Sequence, residues 1–150
     1  GTRYIQAGTG LMTQLNFDEV MTFMSLQENM IVNSVELAFE NVNTVTNLST
    51  PTTFNLFQST NNFNRTFLPV NGESIDRIYD DSGLPYNFTF NEEKKLYRGI
   101  PRRYFQDLYE NGITTSSLRI EPSNYGYSLE RFTISDGDLR LRFYYSLPNN

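Results

Sequence analysis

The chain alternates more than it spirals. Near its C-terminal end Leu139, Leu141, Phe143, Tyr145 and Leu147 take every second position, with Arg140, Arg142, Tyr144 and Ser146 between them. Successive side chains of a strand point to opposite faces, so this spacing predicts a strand with an apolar row on a core and a polar row towards solvent. Val35, Leu37 and Phe39 alternate with Glu36, Ala38 and Glu40 in the same way. The run 129–134 leads into Ser135-Asp136-Gly137-Asp138, and an Asp-Gly pair between two strand-like runs predicts an antiparallel hairpin of the last two strands. Further strands are predicted over 4–7, 11–15, 53–58, 74–79, 86–90, 95–98 and 117–121.

Two segments follow the helical period instead. Phe17, Val20, Met21 and Met24 fall at i, i+3, i+4 and i+7, with Asp18 and Glu19 at the end where the helix dipole favours negative charge. Pro101 stands where a first helical residue should, Tyr104, Phe105 and Leu108 supply an apolar face, and Gly112 follows as a stop. Many short strands with two short helices covering an end or a seam predict a mainly β fold, an antiparallel β-sandwich of jelly-roll type, in a single domain over 1–150.

Composition supports that class and removes several chemistries. Asn, Thr and Ser make up 44 of the 150 residues and Lys occurs only at 94 and 95, a palette better suited to strands than to surface helices. The densest polar run, 41–64, is interrupted by Phe54, Leu56 and Phe57 and so is expected to hold a strand between polar turns. With no His and no Cys, the chain cannot build a Ser-His-Asp or Cys-His nucleophile, a thiolate redox centre or an ordinary zinc, haem or iron-sulfur site. A net charge of -5 makes nucleic acid and anionic membrane poor partners. No stretch approaches the roughly 20 apolar residues of a membrane span. The chain opens at Gly1 without an initiator Met, as expected of a processed product or a fragment.

A resemblance runs along most of this pattern. Tyr4-Ile5-Gln6-Ala7-Gly8-Thr9-Gly10-Leu11, then Leu15-Asn16-Phe17, then Ile31-Val32-Asn33-Ser34-Val35-Glu36-Leu37 resemble the C-terminal half of an uncharacterised family of Bacteroidetes lipoproteins, the domain-of-unknown-function (DUF) 4270 family. Tyr104-Phe105-Gln106-Asp107-Leu108 with Asn111-Gly112, then Leu118-Arg119-Ile120 and Leu139-Arg140-Leu141-Arg142-Phe143-Tyr144-Tyr145 are similar to that family's helix, strand and final strand in the same order. Val35 stands where the family pattern has Ala. The resemblance implies an exported protein of the cell envelope, on the outer membrane or surface-exposed, held by a lipid anchor upstream of this chain. Contact with membrane would run only through that anchor. The opening also looks like jelly-roll modules that bind carbohydrate, a likeness of fold that assigns no ligand.

Candidate chemistry is sparse. Asp80 and Asp81, and likewise Asp136 and Asp138, offer the hard oxygens that Ca²⁺ prefers, but Asp and Gly are also what tight turns require, and neither run has EF-hand spacing. No other cofactor is expected. Tyr86, Asn124, Tyr125 and Tyr127 lie in loop-like contexts, where a tyrosine face beside Asn suits a sugar ring, whereas most sandwich tyrosines are half-buried packing residues. Convergence of Tyr79, Tyr86, Tyr125 and Tyr127 on one concave surface would favour a glycan platform. Arg140 and Arg142 are expected as edge or solvent charges. Gly8 and Gly10 lack the P-loop pattern and predict a bulge or bend. Three function readings follow. The first is a non-catalytic envelope module recognising an extracellular glycan or surface protein. The second is an architectural domain packed on another part of its polypeptide, which predicts a broad apolar surface patch. The third is a carboxylate-dependent glycoside hydrolase, which needs two acids facing a cleft.

Overall fold

In the computed structural model, residues 1–8, 12–60, 62–124, 126 and 128–148 are described. The strands are β1 (Thr2–Gln6), β2 (Gln14–Asn16), β3 (Ile31–Phe39), β4 (Asn43–Thr44), β5 (Thr53–Gln58), β6 (Leu68–Val70), β7 (Glu73–Ile75), β8 (Phe88–Asn91), β9 (Leu96–Gly99), β10 (Ser117–Pro122), β11 (Arg131–Ser135) and β12 (Leu139–Ser146). The helices are α1 (Asp18–Ser25) and α2 (Arg102–Glu110). A seven-stranded antiparallel sheet runs β12-β3-β9-β8-β5-β10-β2 and curls over a three-stranded sheet, β1-β11-β4. The architecture is the antiparallel sandwich with two helices that the periodicity predicts. Its strand order does not by itself specify a jelly roll.

Aromatic rings join the two sheets. Phe132 on β11 lies 5.9 Å from Phe54 on β5 and 5.0 Å from Tyr97 on β9. Phe39 and Phe88 complete this cluster against Phe54, at 5.0 and 5.1 Å. Gly99 makes the packing possible, because a Cβ there would sit 2.4 Å from the Phe88 ring and 2.8 Å from Tyr86. The helices close the other end of the core with Met21, Met24, Tyr104, Phe105 and Leu108, all fully buried. Helix α2 also serves β3 where β9 no longer pairs with it, since the Val32 N–H donates to Gln106 Oε1 at 2.7 Å and the Met30 N–H to Tyr109 Oη at 3.0 Å. Gly8 ends β1 at φ +74, the predicted bend, with the Ser128 carbonyl where a Cβ would stand; Gly10 lies outside the described residues.

The predicted terminal hairpin does not form. β11 pairs with β1 and β4, β12 pairs with β3, and Asp136–Asp138 is a 3-10 turn that carries the chain from one sheet to the other. Both sides of β11 are already taken, and the turn is fixed by side chains that an Asp-Gly hairpin turn does not need. Asp136 accepts from the Gly1 amine at 2.8 Å and from Arg3 Nε at 2.6 Å, while Asp138 accepts from Asn41 Nδ2 at 2.8 Å.

Candidate functional site

The sequence-chosen residues divide into structural groups. Tyr79 is buried, and its hydroxyl donates to Asp107 Oδ2 on α2 at 2.7 Å. Burial first, then that hydrogen bond, hold the Tyr79 phenol protonated with a pKa well above the ordinary tyrosine value. Tyr86 is half-buried against Phe88, ring centroids 5.0 Å apart, and its oxygen accepts the Ile100 N–H at 3.1 Å. Both hydroxyls have protein partners, and the two rings pack in different places, Tyr79 on Tyr104 and Tyr86 on Phe88. Asn124 is exposed and donates to Glu130 Oε2 at 3.3 Å. Tyr125 and Tyr127 lie outside the described residues.

The acids considered for Ca²⁺ occupy two separate turns and have protein donors already. Asp80 Oδ1 accepts from the Ser82 and Leu84 N–H groups at 2.9 and 3.0 Å, and bonds from the Ser82 hydroxyl and these amides hold its carboxyl below the ordinary aspartate value. Asp81 Oδ1 accepts the Arg103 N–H at 3.0 Å and Oδ2 meets Arg102 Nε at 3.1 Å. It thereby satisfies an amide of the first turn of α2, where Pro101 has no capping side chain. The Asp136 carboxyl is held down by the Gly1 amine first and Arg3 second. Among the described residues, no three Asp, Glu, His or Cys side chains gather as a metal would require.

Concavities are modest. A polar cavity of about 170 Å³ beside Tyr79 is lined by Asn71, Glu73, Ile75, Arg103 and Asp107. Asp107 is engaged by Tyr79 and by Arg103 Nε at 3.5 Å, and Glu73 is exposed. A second cavity, about 280 Å³, lies where the two ends of the curled sheet approach, bounded by Leu15 and Asn16 on β2, Leu139 on β12, Ile134 on β11 and Arg3 on β1.

The more informative surface is apolar. Phe23 on α1 meets Tyr145 on β12 edge-to-face, centroids 5.3 Å apart. Leu26 follows the helix at 75 % exposure, Ile31 pairs with Ser146 at 52 % exposure, and Leu147 continues β12 beyond it. Phe23 and Tyr145 thus form one partly exposed pair at the end of a strand that closes the sheet, with Leu26 and Leu147 close to them along the chain, whereas Ile31, opposite Ser146, lies on the other face of the sheet. The register shift between Tyr144 and Tyr145 skips Asn33 on β3, so Tyr145 stays in the row of Phe143, ring centroids 6.2 Å apart and opposite buried Val32, and is 40 % exposed where that row runs past the core. The outer face of the same strand carries ions: Arg140 Nε lies 2.7 Å from Glu40, Arg142 bonds Glu36 and reaches Glu40 at 3.8 Å, and Arg98 on β9 bonds Glu36 from the other side.

Sequence reasoning passed over this corner, although a signal was present. Phe23 and Leu26 stand three apart and off the Phe17, Val20, Met21 and Met24 stripe, a second apolar stripe on a short helix. No helix among the described residues is long and apolar enough to cross a membrane. No family model matches the chain, and neither a curated protein nor a solved structure is found that matches it.

Proposed function

We propose that this chain is a non-catalytic binding domain of a cell-envelope lipoprotein, and that it works by docking another protein on the corner at Phe23, Leu26, Tyr145 and Leu147. The envelope setting rests on the sequence resemblance. The docking role rests on one observation: Phe23 and Tyr145, both partly exposed, pack edge-to-face beside an edge strand with exposed Leu26 and Leu147 close along the chain, whereas most exposed apolar residues of a monomer are scattered. Aromatic and large aliphatic residues are what protein interfaces bury at their centre.

Glycan recognition is the second reading, favoured by the polar cavity in which Asn71, Arg103 and Asp107 surround Tyr79. Its volume of about 170 Å³ is below the roughly 300 Å³ at which small-molecule pockets begin. A photo-crosslinking residue placed at Leu26 in the protein's native cells tests the choice. Docking predicts a discrete protein adduct from position 26 and none from Asn91, an exposed position on β8; equal labelling from both, or none, contradicts it.

A further inference from the structure

The corner sits at one end of β12, and the side of that strand turned away from β3 has its own chemistry. The Glu40 N–H donates to the Asp138 carbonyl at 2.8 Å, in register with the pairs that follow, Leu139 with Phe39 and Arg140 with Ala38. Antiparallel pairs alternate between exchanging both hydrogen bonds and exchanging none. Arg140 and Arg142 therefore turn their backbone groups to β3, and Leu139, Leu141 and Phe143 turn theirs outward. The same three residues form the half-buried apolar row of β12, packed against the core. Leu139 also borders the cavity of about 280 Å³ whose far wall is Leu15 on β2.

We propose that β12 is a receptor edge, taking an extended segment of the docked protein as an eighth strand with apolar residues beside Leu139, Leu141 and Phe143 and acidic residues beside Arg140 and Arg142. This rests on the protein-docking reading of the corner. Main-chain bonding to outward N–H and C=O groups supplies affinity, and alternate side chains supply selectivity. The inward residues cover the half-exposed row, and one opposite Leu139 fills the cavity between the sheet ends.

Charge selects the partner. Across β9, β3 and β12 the outer face holds Arg98, Arg140 and Arg142 against Glu36 and Glu40, an excess of one positive charge, and β12 itself contributes only arginines. Opposite charges on neighbouring strands are favourable and like charges directly opposite are unfavourable. A second copy of this chain paired through β12 and centred on Leu141 would set Arg140 opposite Arg142 twice. A foreign strand with Asp or Glu at those positions meets no such conflict.

The probe is a blocked peptide of about nine residues, a common strand length, alternating valine and glutamate. It is compared with a valine–lysine peptide and with one N-methylated at alternate residues so that its bonding edge is closed. Amide exchange of the protein is followed during titration. The proposal predicts that the valine–glutamate peptide slows exchange at Leu139, Leu141 and Phe143 by at least about tenfold, that the lysine peptide binds at least about tenfold more weakly, and that the methylated peptide does not bind. Leu141→Pro removes an outward N–H without breaking a bond to β3 and should abolish peptide binding. Absence of binding, equal binding of the two charged peptides, or protection elsewhere than on β12 overturns the proposal. If the peptide fails while the position-26 adduct persists, strand addition alone falls; if the adduct is lost as well, the docking reading falls with it.

Discussion

The ring of Phe23 stands at 69° to that of Tyr145, edge against face, and so ties α1 to the last residues of β12. Contacts of this kind contribute about 0.5–1.5 kcal/mol beyond the area they bury. Here the contact also has a geometric effect: it joins two apolar residues excluded from the core into one surface at the end of an edge strand.

Leu26→Ser should leave that surface smaller and the fold intact. Leu26 is 75 % exposed, and substitutions at such positions usually change stability by no more than about 0.5 kcal/mol. With a crosslinker at position 147, the variant is expected to unfold in urea at the wild-type midpoint and to lose most of the protein adduct. An unchanged adduct would remove Leu26 from the docking surface.

Tyr79→Phe should cost about 2 kcal/mol. The substitution keeps the ring, which packs 5.5 Å from Tyr104, and deletes the hydroxyl that serves Asp107. A hydrogen bond to a charged group contributes about 1.5–3 kcal/mol, and Arg103 remains to partner the carboxylate. Urea denaturation measures the loss. A destabilisation near zero would mean that Tyr79 does not hold α2, and would release it for a ligand role.

Gly99→Ala should destabilise by about 1–3 kcal/mol, the usual cost of overpacking. The added methyl meets the Phe88 and Tyr86 rings, both fixed by neighbouring strands, well inside contact distance. Phe88→Leu in the same chain should recover part of the loss, as thermal unfolding of single and double variants will show.

Glu36→Gln should flatten the acid limb of the stability curve. Burial works to raise the Glu36 pKa, but hydrogen bonds from Arg98 and Arg142 outweigh it and hold the carboxyl below its ordinary value of 4.5. A group depressed in the folded state adds stability above its unfolded pKa and loses it as pH falls through the folded one. The variant should therefore be less stable than wild type near neutrality, with the gap narrowing below pH 4.5. A gap independent of pH would show that the Arg–Glu ladder does not stabilise β12.

Period carried the fold into the sequence, and partners outside the local window carried the rest. Thr53–Gln58 is the predicted strand to the residue, because Phe54 and Leu56 face the core and the polar residues flanking the strand end it. Both helices start within a residue of their Asp and Pro signals. The Asp136–Asp138 turn was legible as a turn and illegible as a crossing, since Arg3 and Asn41, which fix it, lie about a hundred residues away in the chain. Tyr79, at the end of a predicted strand, and Tyr86, at a loop or strand edge, show no partner in the local sequence, because Asp107 and Ile100 arrive from α2 and its approach. The β12 arginines were rightly read as edge charges, but the free side of the strand depends on which strand becomes its neighbour, and no local pattern encodes that.

Amide hydrogen exchange along β12 of the free protein tests the receptor edge most directly. The account predicts alternation: fast exchange at Leu139, Leu141 and Phe143, whose N–H groups face outward, and slow exchange at Arg140 and Arg142, which bond β3. Uniform protection from Leu139 to Phe143 would contradict it, because the outer side of β12 would then already be paired.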